Sequence, residues 1–81
     1  MYKEVFALRI KAIRQELGLT QNGVSKDTGI DQSRISKYEA GELQPDLEKL
    51  GILANYYEVS IDWLLGNPHN NKRGEAAYES I

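Results

Sequence analysis

The chain contains no cysteine and a single histidine, His69. Without cysteine there is no disulfide framework and no thiolate metal site. His69 sits in a polar, turn-rich stretch, where solvent exposure is expected and a metal role is not. There is no glycine-rich phosphate loop and no cluster of metal-ligating side chains. An enzyme is therefore not expected, and no cofactor or small-molecule ligand is evident. No run is long and apolar enough to span a membrane. No signal peptide is visible, because Val5 and Phe6 lie among Lys3, Glu4 and Arg9. A cytoplasmic protein is expected. Internal repeats and low-complexity tracts are missing as well.

An overall basic charge is also lacking: the formal net charge is −2. Taken alone, this argues against a nucleic-acid partner. Its distribution matters more. Residues 1–41 hold seven Lys/Arg and five Asp/Glu, giving +2, while residues 42–81 hold three and seven, giving −4. A mildly basic half can meet phosphates while the other half stays acidic, with some loss of long-range steering.

What is present, in 81 residues, is enough for one domain near the lower size limit for a self-sufficient core. Phe6, Ile10, Ile13 and Leu17 recur at helical spacing and predict a first helix over 3–17, with Arg9, Lys11 and Glu16 on wetter faces. Gly18 fits the left-handed position past its end. Asp46 is a candidate N-cap for a helix over 47–57, with Leu47, Leu50, Leu53 and Ala54 facing inward. Ser60 caps a short helix over 61–65, with Ile61, Leu64 and Leu65 facing inward, and Gly66 and Pro68 stop it. The domain is thus expected over 1–66. Residues 67–81 read as a polar C-terminal tail, either a linker or a docking segment.

The most informative stretch is Leu19 to Gly41. Thr20 is a good N-cap for a helix opening at Gln21, and Gly29 marks a tight reversal. Asp31 is expected to cap a second helix over 32–40. Val24, Ile30, Ile35 and Tyr38 point inward, while Gln32, Ser33, Arg34 and Lys37 point outward. Hydrogen-bonding and cationic groups on the free face of the second helix have the layout of a helix-turn-helix offered to a DNA groove.

These residues resemble the DNA-binding domain of the phage repressor and Cro family, the xenobiotic-response-element type of regulator. The resemblance extends through R-I-K-A-I-R-Q-E-L-G-L-T-Q before the motif, K-Y-E-A-G-E-L-Q-P at its close and V-S-I-D-W-L-L-G at the domain's end. It covers residues 6–66. It implies an all-α fold: a compact five-helix, lambda-repressor-like domain. Three positions depart from the family pattern. Gly23 stands inside the first motif helix, Ser25 stands where Ala is usual, and Glu58 replaces the usual Gly or Asn. The last departure points to a left-handed backbone at a non-glycine residue.

Family resemblance also implies roles. Arg14 is expected to pair with Glu39, and Gln21 to brace Gln32. Gln32, Ser33, Arg34 and Lys37 are the expected base-contacting residues. Gln offers a bidentate pair to adenine, and Arg or Lys donates to guanine or phosphate. Thr20, Gln21, Asn22, Lys26 and Lys11 are the expected phosphate contacts; Gln21 opens a helix whose N–H groups suit an anion. Tyr57, Glu58 and Val59, with Tyr78 and Ile81 of the tail, are the candidate dimer seam. Trp63 is expected in the core.

The leading expectation is a sequence-specific transcriptional regulator, in the repressor sense, binding an inverted-repeat operator on double-stranded DNA as a homodimer. The alternative is a protein-interaction module of the same fold, such as an antitoxin or anti-regulator, motivated by the acidic half and the tail.

Overall fold

The computed structural model describes residues 2–67. His69, Tyr78, Ile81 and the expected tail beyond Asn67 lie outside them. Five helices follow one another: α1 (Tyr2–Glu16), α2 (Gln21–Thr28), α3 (Gln32–Glu39), α4 (Leu47–Tyr57) and α5 (Ile61–Leu64), with no strand among the described residues.

Local chemistry sets most boundaries. The Thr20 hydroxyl accepts from Gly23 N at 3.0 Å, the Asp46 carboxylate from Lys49 N at 2.8 Å and the Ser60 hydroxyl from Trp63 N at 2.9 Å. Each satisfies one of the N–H groups that a helix start leaves without an intrahelical partner. Gly18 and Gly29 end α1 and α2 at φ 71° and 79°, in the left-handed region that side-chain-bearing residues avoid. Thr28 completes the reversal between α2 and α3: its hydroxyl donates to Val24 O at 2.7 Å and accepts from Ile30 N at 3.2 Å. Asp31 departs from expectation. It precedes α3, but its side chain makes no capping bond. Asp31 lines an open pocket with Arg34 and Lys37.

Gly23 costs α2 about 1 kcal/mol of intrinsic propensity relative to Ala. Its backbone N–H is the donor to the Thr20 cap, and a Cβ there would stand 3.2 Å from the Thr20 hydroxyl. The glycine therefore leaves room for the cap that starts the helix.

The core draws on every helix. Phe6, Ile10 and Ile13 from α1 meet Val24, Ile30, Ile35 and Tyr38 of the motif, and Leu50, Leu53, Tyr57, Val59, Trp63 and Leu64 close the other side. The Phe6 and Tyr38 rings meet edge-on, 5.9 Å apart, a favoured aromatic geometry. α1 packs on α3 and α5, and α2 packs on α3 and α4.

Three apolar positions expected inside lie outside. Leu17 falls one residue beyond α1 and is 48% exposed; Leu19, after the reversal, packs on the core instead. Leu47 is the first residue of α4 and is 81% exposed, because the core lies against later turns of that helix. Ile61 is 38% exposed, since the single turn of α5 buries Trp63 and Leu64.

Candidate nucleic-acid interface

One carboxylate ties three helices together. Arg14 donates from Nε to Glu39 Oε2 at 2.7 Å and from Nη2 to Glu39 Oε1 at 2.9 Å, a two-pronged pair across α1 and α3. The side chains are only 12% and 4% exposed, respectively. The remaining prong, Nη1, donates to Leu19 O at 2.9 Å and so anchors the chain just before α2 begins. Hydrogen bonding to Glu39 holds the Arg14 guanidinium pKa above its ordinary value, against the opposing effect of burial. Burial, then the Glu39 charge, pushes the nearby Tyr57 phenol well above the usual tyrosine range.

The same carboxylate reaches toward the surface. Gln21 Nε2 donates to Glu39 Oε1 at 3.1 Å, and Gln32 Nε2 donates to Gln21 Oε1 at 2.8 Å. The first residue of α3 is thereby tied to the buried ion pair. The Gln21 side chain is engaged at both ends, and the N–H groups of the α2 first turn lie beside it at a helix start whose dipole suits an anion.

α3 is sharply two-faced. Ile35 and Tyr38 are 2% and 1% exposed, whereas Gln32, Ser33, Arg34 and Lys37 are all exposed. Ser33, Arg34 and Lys37 line, with Asp31 and Leu43, an open pocket of about 240 Å³. All four expected base-contacting residues are thus exposed, and three of them line one pocket. Leu43, which the sequence alone did not single out, lines this pocket and also packs against the core. The signal for it was a lone apolar side chain in the polar loop directly after α3.

Among the expected phosphate contacts, Thr20, Asn22, Lys26 and Lys11 are exposed, and Gln21 is half-buried. Thr20 already spends its hydroxyl as an acceptor in the α2 cap. The candidate seam divides. Tyr57 and Val59 are 2% and 6% exposed and belong to the core, so a partner chain would find little of them to touch. The reason is the turn at Glu58, whose left-handed backbone (φ 58°, ψ 43°) ends α4 and turns Val59 inward. Glu58 is exposed. Tyr78 and Ile81 lie outside the described residues.

Comparison with known proteins agrees with this architecture. The helix-turn-helix family profile matches residues 10–64. Over 67 residues the chain is 37% identical to the HTH-type transcriptional regulator ImmR of Bacillus subtilis, covering 83% of this chain and 53% of that protein. It is 31% identical over 67 residues to the cryptic phage CTXphi transcriptional repressor RstR of Vibrio cholerae, covering 83% of this chain and 60% of RstR. The chain therefore spans little more than half the length of these relatives. The S. venezulae BldD DNA-binding domain superposes with a TM-score of 0.68 at 26% identity, over 78% of this chain and 94% of that one. With the family match spanning both motif helices and their supports, the chain belongs to the helix-turn-helix family of the Cro/C1 type.

Proposed function

We propose that this chain binds double-stranded DNA in a sequence-specific manner and regulates transcription, most simply as a repressor, with α3 laid in the major groove. The observation that carries this reading is the two-faced α3: one side locked into the core, the other presenting Gln32, Ser33, Arg34 and Lys37. A groove-reading helix needs both properties, because base-edge contacts discriminate only when the donors are held in register. The regulators and repressors among its relatives support the same reading. The site of action is then the cytoplasm, where a bacterial or phage operator lies.

A single recognition helix reads only a few base pairs, too few to single out one genomic site. The proposal therefore includes a homodimer on an inverted repeat, with half-sites about one helical turn apart. Glu58 is the one member of the candidate seam that is both described and exposed.

The test is a mobility-shift series across salt concentrations with duplexes selected by the protein from a randomised pool. A groove reader retains selected over scrambled duplex and shows a steep log–log salt slope. A protein-interaction module gives weak, sequence-blind retardation instead. Equilibrium ultracentrifugation on the selected duplex then fixes stoichiometry; saturation at one protein per duplex would exclude the dimer.

A further inference from the structure

The hydrogen-bond chain from Arg14 to Gln32 has a direction imposed by chemistry. Glu39 is paired with Arg14, and its carboxylate can only accept. The Gln21 group 3.1 Å from Glu39 Oε1 must therefore be its NH2, which fixes the Gln21 carbonyl at the other end. That carbonyl cannot donate. The Gln32 group 2.8 Å away must in turn be an NH2. Each amide thus has one allowed orientation, set by a carboxylate two side chains away. Gln32 is left with its own carbonyl oxygen and one N–H for a ligand.

Building on the groove reading above, we propose that Glu39 is a positioning residue for base specificity: through Gln21 it fixes the amide polarity of Gln32 and so separates adenine from guanine at the base pair Gln32 faces. Adenine presents an N6 donor beside the N7 acceptor, which complements one carbonyl and one N–H. Guanine presents two acceptors, O6 and N7, and sets O6 against the Gln32 carbonyl. If the polarity were free, Gln32 could turn its carbonyl to Gln21 and offer both N–H groups outward, and guanine would be accepted. The buried ion pair then has a part in recognition although it touches no base.

The test compares the wild type with Gln21→Met, Glu39→Gln and Gln32→Ala on duplexes carrying each base at every operator position. Gln21→Met keeps the side-chain length, leaves the Arg14–Glu39 pair in place and cuts the chain at its centre. It should reduce the adenine-over-guanine ratio at one base pair per half-site by about tenfold, with preferences at other positions intact. Glu39→Gln should move the same ratio in the same direction, and a fall in its stability does not alter the reading of Gln21→Met. An unchanged ratio in Gln21→Met overturns the proposal. Gln32→Ala separates the two levels. Loss of preference at that same base pair supports the base contact, whereas unchanged preferences everywhere show that Gln32 faces no base and overturn the specificity role. The free protein supplies an arm that needs no DNA. The side-chain amide resonances of Gln32 should shift in both Gln21→Met and Glu39→Gln, and resonances that stay in place overturn the relay even if DNA binding persists.

Discussion

The Arg9 guanidinium lies 4.8 Å from the centre of the Trp63 ring and donates to the Trp63 carbonyl oxygen, so a cation from α1 closes over the single turn of α5. Helical spacing alone puts Arg9 on a wetter face. Once α5 folds back, the Arg9 guanidinium lies over the Trp63 ring. Arg9→Ala should cost about 1–2 kcal/mol, combining a cation–π contact with a charge-assisted hydrogen bond. Arg9→Lys should recover part of that. Urea unfolding monitored by the fluorescence of Trp63 measures both; equal stability of wild type and Arg9→Ala would show that the contact is ornamental.

Arg14 and Glu39 are the pair whose loss should be felt most. Removing either leaves a charged partner in a site only 12% or 4% exposed, and stranding a buried charge costs about 3–5 kcal/mol. Arg14→Ala, Glu39→Ala and the double mutant form a cycle. The double mutant should be far less destabilised than the sum of the singles. Small, additive effects would mean that the pair behaves like one at the surface.

Glu58 holds a left-handed backbone at φ 58°, ψ 43°. A side chain there costs roughly 1–2 kcal/mol, and glycine returns part of the gain as lost chain entropy. Glu58→Gly should therefore raise stability by up to about 1 kcal/mol. Thermal melts at several protein concentrations check this. A lower melting temperature for the variant at dilution would count against strain as the dominant effect.

Tyr56 donates to the Asp27 carboxylate at 2.6 Å. That hydrogen bond, then burial and the Asp27 charge, pushes the phenol up from 10.0 to about 12. The raised value favours the protonated phenol in the folded state. Its stabilising contribution is thus whole below pH 10 and lost as pH rises from 10 toward 12. Tyrosinate absorbance should show Tyr56 ionising late in the wild type and earlier in Asp27→Ala. Overlapping titration curves would show that the hydrogen bond does not persist in solution.

Lys37 is exposed about a turn and a half into α3 and shares a pocket with Ser33 and Arg34. If it reads a base edge, Lys37→Ala should cost about 1–3 kcal/mol on the selected duplex and relax preference at one base pair. Competition binding on singly substituted duplexes distinguishes the cases. Uniform weakening on every sequence would make Lys37 a phosphate contact instead.

What the sequence determined by itself was whatever depends on a few neighbouring residues. Thr20, Asp46 and Ser60 mark helix starts because a short polar side chain reaches an N–H only three residues ahead. Gly18 and Gly29 mark reversals because their backbone angles exclude most other residues. Val24, Ile30, Ile35 and Tyr38 could be assigned inward from spacing, and that left Gln32, Ser33, Arg34 and Lys37 for the free face. The tertiary structure decided what depends on which surfaces meet. Leu17, Leu47 and Ile61 fit a helical stripe but sit where no neighbouring element covers them. Tyr57 and Val59 could have served a partner chain, yet the Glu58 turn commits them to the core. Arg9 gained a ring to cover, and Asp31 precedes α3 without capping it. The family resemblance implied Arg14–Glu39 and Gln21–Gln32 as two separate contacts, and the Gln21–Glu39 bond that joins them was not foreseen. Only the packing of α1, α2 and α3 joins the two contacts into one chain, and its direction then follows because a carboxylate can accept and cannot donate.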